Sequence, residues 1–146
     1  MATTVILGVI GSDAHVVGIT ILEQALDAAG FEVVNLGVQT SQEEFVGAAK
    51  THDADAILVS SLYGHAERDC EGFHERVERA DLDVLTYIGG NLSVGQEPFE
   101  RTRSTFREQG FDRVFDSETD PEEAVATLRA DLGLRSTDTD RVSARA

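Results

Sequence analysis

At 146 residues, 41% of them hydrophobic, the chain suits one domain with a real core and is too short for two. Its 27 acidic residues outnumber 12 basic ones, and a formal charge of −15 repels nucleic acid and anionic membrane surfaces. No apolar run nears the roughly 20 residues of a membrane span, and the single cysteine, Cys70, rules out an internal disulfide and argues against a Cys-based zinc site.

Residues 4–10 are an apolar run of strand length, suited to a central parallel strand buried on both faces. Residues 18–29 place Ile19, Leu22, Ala25, Leu26 and Ala29 at spacings of three and four, one helical stripe that Gly30 closes. A second strand at 31–36 leads through Gly37-Val38-Gln39-Thr40 to a helix opened by Ser41. Glu44 completes a capping box there, and Phe45, Ala48 and Ala49 face the sheet. The third strand covers 56–59 or 60, and a polar connection at 61–69 reaches a third helix at about 70–80. A fourth strand at 84–88 ends in Gly89-Gly90-Asn91-Leu92-Ser93-Val94-Gly95. A helix at 98–109 stops at Gly110, and a short fifth strand follows at 113–115. The last helix opens with Asp120 as cap, Pro121 in first position and Glu123 completing the box, and fades near Gly133. Residues 134–146 are polar and aperiodic and read as a disordered tail, which leaves residues 1–133 as the domain.

Five strands alternating with five helices predict an α/β fold, a flavodoxin-like doubly wound parallel sheet of order 2-1-3-4-5. The first and third strands then flank the switch point, where the strand order reverses, and ligands bind at the carboxyl edge there. Three loops converge on it, residues 11–18, 60–69 and 89–95, and they are the most glycine- and serine-rich in the chain. Loop glycines also serve simply to make turns.

The first of these loops, Gly11-Ser12-Asp13-Ala14-His15-Val16-Val17-Gly18, holds a carboxylate, an imidazole and a flexible glycine in one strand-to-helix turn. A phosphate cradle prefers backbone amides without a carboxylate, so Asp13 counts against one. No Walker-type lysine is present, and Gly8-Val9-Ile10-Gly11 lacks the dinucleotide spacing. A flavin site would want aromatic partners, and Tyr63 is the obvious candidate. A phospho-accepting receiver domain needs an aspartate ending the third strand and a lysine ending the fifth, where Ser60-Ser61 and Phe115-Asp116 stand. A Ser-His-Asp hydrolase needs a nucleophile elbow that the sequence lacks. A lone loop histidine is more often solvated or structural. Yet Asp13 could accept the imidazole N–H of His15 and strengthen its other nitrogen as a donor to a metal. Zinc would require two or three more ligands; His52, His65 and His74 exist, but His52 ends a helix near the opposite edge. A single protein ligand suits a metal already held by a macrocycle.

Asp13-x-His15-x-x-Gly18, then Ser60 with Leu62, then Gly89-Gly90, resembles the signature of cobalamin-binding domains of the Asp-x-His-x-x-Gly type. Val9-Ile10-Gly11-Ser12-Asp13, Ser60-Ser61-Leu62-Tyr63-Gly64, Asp69-Cys70, Gly89-Gly90-Asn91 and Gly110-Phe111-Asp112-Arg113-Val114 extend it. Over residues 4 to about 133 the chain resembles the small subunit of adenosylcobalamin-dependent glutamate mutase (methylaspartate mutase). Two positions depart from that pattern: His65-Ala66 replaces an expected Gln-Gly, and Ala14 replaces a residue often Cys.

The resemblance implies that His15 is the lower axial ligand to cobalt in place of the cofactor's benzimidazole. Asp13 would hydrogen-bond its other nitrogen, and Gly18 would leave room for the displaced nucleotide tail. Ser12, Ala14 and Val16 belong to the same loop; Ser60, Ser61 and Leu62 would contact the tail from one side. Gly89, Gly90, Asn91, Leu92, Ser93, Val94 and Gly95 would line its far end. It further implies an isomerase that interconverts L-glutamate and L-threo-3-methylaspartate by radical chemistry. The catalytic and substrate-binding residues would belong to a large subunit, a TIM barrel in the family, joined in a heterotetramer. A corrinoid carrier for methyl transfer shares Asp13, His15 and Gly18 but usually has a helical cap, whereas this sequence opens directly on a strand; the small subunit of another mutase and a fold-only protein are further rivals. The opening Met1-Ala2-Thr3-Thr4 lacks a basic stretch, so a cytoplasmic protein without signal peptide is expected. With Lys50 as the only lysine, the acidic balance also suits a salt-loving host, where screening shrinks self-repulsion.

Overall fold

The computed structural model describes residues 3–11, 17–61, 66–90, 98–116 and 119–143, with the backbone alone for 17–18 and 134–143. Strands β1 (Thr4–Val9), β2 (Glu32–Asn35), β3 (Ala56–Ser61), β4 (Leu85–Gly90) and β5 (Arg113–Phe115) form one parallel sheet of order β2-β1-β3-β4-β5. Helices α1 (Val17–Ala28), α2 (Gln42–His52), α3 (Ala66–Asp69), α4 (Phe73–Arg79), α5 (Phe99–Gln109) and α6 (Pro121–Ser143) alternate with them. This is the doubly wound, flavodoxin-like arrangement, with the direction of strand addition reversing between β1 and β3.

Side chains alternate across the strands, so the sheet builds two cores. Val5, Leu7 and Val9 meet Ile19 and Leu26 of α1 and Val125 and Leu128 of α6 on one face. Ile6, Ile10, Ile57, Val59 and Ile88 meet Phe45 of α2, Phe73 of α4 and Phe106 of α5 on the other. That second core is aromatic: Phe73 stacks on Phe111 at 5.9 Å between centroids, and Phe45 meets Phe73 edge-on at 6.1 Å. Gly8 lets α2 sit close, since a Cβ there would lie 3.1 Å from the Phe45 ring. Ser41 caps α2 as expected: its Oγ accepts from the Glu44 N–H at 3.1 Å, and Glu44 Oε1 accepts from the Ser41 N–H at 3.0 Å.

Three elements differ from their predicted form. The single third helix is two short ones, because Gly72 adopts φ +77° and turns the chain so that both Cys70 and Phe73 are buried. Carbonyls freed by that break are met by Gln42, whose Nε2 donates to Asp69 O at 2.7 Å and Glu71 O at 2.8 Å. Strand β4 extends through Gly89 and Gly90, which pair with β3 rather than forming a loop. Finally, α6 continues to Ser143 instead of fading near Gly133. One glycine costs a helix only about 1 kcal/mol, and no proline follows it to force a stop.

Candidate functional site

The sheet register explains where the structure is open. Val9, Ser60, Gly89 and Phe115 form one row across β1, β3, β4 and β5, nearest the carboxyl edge on the α1/α6 face. Leu7, Leu58, Tyr87 and Arg113 form the row beneath. In the outer row the two central positions carry a hydroxymethyl group and no side chain at all. The space they leave is a cleft of about 270 Å³. Leu7, Leu58 and Tyr87 line it from the row beneath, Ile21 and Leu22 of α1 from one side, and Pro121 and Ala124 of α6 from the other. Ile21 is 48% exposed, the only large hydrophobic side chain so exposed among the described residues, because it forms the lip of this cleft.

The cleft fits a flat, largely apolar group with a polar edge. A Cβ built on Gly89 would meet Phe115 Cβ at 3.4 Å, so a side chain there would occupy the cleft itself. Ser60 offers a hydroxyl on the same wall. These features suit a nucleotide tail carrying a heterocyclic base.

Of the predicted site residues, Ser60, Gly89 and Gly90 line the cleft together. Ser61 is buried on the opposite face by strand alternation, and its Oγ has no hydrogen-bond partner among the described residues. Gly18 lies in the first turn of α1, at the same sheet edge. Gly90 has φ +118°, a backbone that favours glycine. Ser12, Asp13, Ala14, His15, Val16, Leu62, Asn91, Leu92, Ser93, Val94 and Gly95 lie outside the described residues. Among the described residues, no cluster of three His, Cys, Asp or Glu could hold a metal ion. Burial pushes the Cys70 thiol up, with Asp69 adding to the effect, so it is a core group rather than a nucleophile.

Tyr87, Phe115, Ile21, Leu22, Pro121 and Ala124 were not among the predicted site residues. Tyr87, and with it Leu58, was within reach: Tyr87-x-Gly89 and Leu58-x-Ser60 put a large side chain one step beneath a small one on the same face. The Tyr87 ring meets Phe115 edge-on at 5.5 Å. Its hydroxyl donates to Asp131 Oδ2 of α6. Asp131 also accepts from Arg113 Nε at 3.0 Å and Nη2 at 2.9 Å, a bidentate pair. Arg113 holds the Asp131 carboxyl below its usual range, and burial together with Asp131 keeps the Tyr87 phenol protonated.

Residues 3–126 match the model of the B12 binding domain family. Glutamate mutase sigma subunit 1 of Haloarcula marismortui is 71% identical over 142 residues, covering 97% of this chain and 94% of that one. Sigma subunit 2 of the same organism is 74% identical over 133 residues, covering 91% and 90%. Among solved structures, a cobalamin-binding protein from Desulfitobacterium hafniense superposes with TM-score 0.72 at 20% identity, covering 88% of this chain and 58% of that one, a likeness of fold. No described helix is long and apolar enough to cross a membrane. The chain therefore belongs to the glutamate mutase sigma-subunit family and carries a B12-binding domain.

Proposed function

We propose that this subunit holds adenosylcobalamin base-off, with His15 as lower axial ligand to cobalt, for the interconversion of L-glutamate and L-threo-3-methylaspartate. The observation that carries the reading is the cleft over Gly89: it is open at the carboxyl edge, lined by apolar side chains and large enough for a displaced heterocycle. When bound, adenosylcobalamin supplies homolysis of its cobalt–carbon bond, the source of the radical.

The chain's own residues bind and orient. Asp13 would accept the N–H of the His15 nitrogen that does not face cobalt, fixing the tautomer and raising the basicity of the ligating nitrogen. Ser60 hydrogen-bonds the polar part of the tail, while Ile21, Leu22, Ala124 and Phe115 exclude water from the heterocycle. A domain this size offers one face of a corrin and little enclosure for a radical. Substrate binding and catalysis then fall to a large partner subunit, and the family resemblance implies that this partner is a TIM barrel joined with the present subunit in a cytoplasmic heterotetramer. The high acidity suits a salt-rich setting, where it keeps the subunit soluble while salt screens its charges.

The test is a visible spectrum of adenosylcobalamin with the wild-type subunit and with His15→Ala. Wild type is expected to give a base-off, histidine-ligated spectrum, and His15→Ala to lose the nitrogen ligation. An unchanged cofactor spectrum with wild type defeats the corrinoid reading. Glutamate turnover on adding the large subunit then separates a mutase from a methyl-transfer carrier.

A further inference from the structure

The cleft is bounded on one side by α6, and α6 is tied to the sheet by one polar cluster beneath the cleft. Tyr87 and Arg113 are direct neighbours across β4 and β5, and both reach Asp131. Asp131 lies on the same helix as Pro121 and Ala124, seven residues beyond Ala124, and those two residues form the α6 wall of the cleft. Tyr87 has a second role, since its ring lines the inner end of the same cleft and packs on Phe115.

One contact set thus locates both the wall and the inner end. A phenylalanine at 87 would give the same apolar ring without the tie to α6. An asparagine at 131 would keep an acceptor for both partners without the charge. Nothing in the packing of the α1/α6 core demands a hydroxyl, a carboxylate and a guanidinium here: Val125, Leu128 and Leu132 already bury α6 against the sheet. What the polar cluster adds is direction, because a bidentate Arg–carboxylate pair fixes geometry as well as distance.

We infer that Tyr87, Asp131 and Arg113 form a positioning clasp that sets the width and depth of the cleft and so the affinity for the cofactor's nucleotide tail. This inference rests on the corrinoid reading above. The three residues touch no reacting atom; they act through α6 and the Tyr87 ring. Their removal should weaken a corrinoid that has a tail and spare one that lacks it.

The experiment compares affinities of the full chain for cobalamin and for cobinamide, which has no nucleotide tail, with thermal melting of the ligand-free protein alongside. The variants are Tyr87→Phe, Asp131→Asn and Asp131→Ala. Asp131→Ala is expected to lower the cobalamin-to-cobinamide affinity ratio at least tenfold, Tyr87→Phe a few-fold, and Asp131→Asn less than Asp131→Ala. If Asp131→Ala fails to fold, Tyr87→Phe and Asp131→Asn carry the test, since each leaves part of the clasp in place. A ratio equal to wild type overturns the inference, whether both affinities are unchanged or both fall together with melting temperature. A wild type that binds no cobalamin overturns it through the reading beneath it, an outcome distinct from wild-type binding with unaffected variants.

Discussion

Gly89→Val separates the cleft from the fold. The Gly89 backbone needs no positive φ, and its Cβ would make ordinary contact with Phe115 Cβ at 3.4 Å and with the Phe115 carbonyl at 3.7 Å. A β-branched residue also suits a strand, so the change should leave stability within about 1 kcal/mol of wild type. The two methyl groups, however, enter the 270 Å³ cleft from its wall. A bicyclic base buried there hides on the order of 150–250 Å², as a large aromatic side chain does. At ~25 cal/mol per Å² that burial is worth about 4–6 kcal/mol. Shutting it out would weaken binding by about three to four powers of ten. Spectroscopic titration with cobalamin gives the affinity, and melting of the ligand-free protein gives the stability. A variant that melts like wild type and binds cobalamin equally well refutes the assignment of the tail to this cleft. Gly89→Ala, with one methyl, should fall between the two.

On the other face, Gly8→Ala would put a Cβ 3.1 Å from Phe45 Cζ and 3.2 Å from Thr40 Oγ1, an overpacking expected to cost about 1–3 kcal/mol. Phe45→Leu removes the offending ring edge, so a double mutant whose unfolding free energy is simply additive would falsify this steric account. His74 packs on Phe111 at 4.5 Å and shares a 2.9 Å hydrogen bond with Thr86 Oγ1, and burial lowers its pKa below the ordinary 6.5. The unfolded chain then binds the extra proton first, so this contribution is present above the ordinary value and is lost as pH falls through the window beneath it. Denaturant unfolding at about pH 7.5 and about pH 5.5 should show a smaller acid loss in His74→Gln than in wild type, and equal losses contradict the assignment. With 27 acidic against 12 basic residues, lowering salt from about 2 M to about 0.1 M should lower the melting temperature, and indifference to salt contradicts the halophilic reading.

Strand order was legible because strands buried on both faces, a capping box and glycine stops leave local marks: Ser41 with Glu44, Gly110, and the apolar run 4–10 all stand where expected. The break in the third helix was not, because Gly72 is one glycine among polar residues and the side chain that satisfies the break, Gln42, lies about 30 positions away. Ser60 and Gly89 were legible as a motif, yet their meaning is positional. Only the register shows that they are neighbours in one row and that Ser61 faces the other core. The clasp was invisible for the same reason: Tyr87, Arg113 and Asp131 are joined by cross-strand pairing and a distant helix, and no short motif encodes them.

The cleft follows from the topology as much as from any residue. Five strands at about 4.8 Å spacing make a sheet some 20–25 Å wide, and helices are about 10 Å across. Helices α2, α4 and α5 supply three such widths to one face, and Phe45, Phe73, Phe106 and Phe111 fill what remains. Among the described residues only α1 and α6 cover the other face, and they leave a cleft over its middle strands. Large side chains at the outer ends of β3 and β4 would close that shortfall; Ser60 and Gly89 leave it open. Substitutions should therefore divide by face. Phe106→Ala removes fully buried volume from the aromatic core and should cost about 3–5 kcal/mol of stability, while the corrinoid affinity of the folded protein stays near wild type. Ser60→Leu should do the reverse, closing the cleft at little cost in stability. Measuring both variants for melting and for cobalamin affinity tests the division: loss of affinity in folded Phe106→Ala, or intact affinity in Ser60→Leu, would show that the two faces do not work separately.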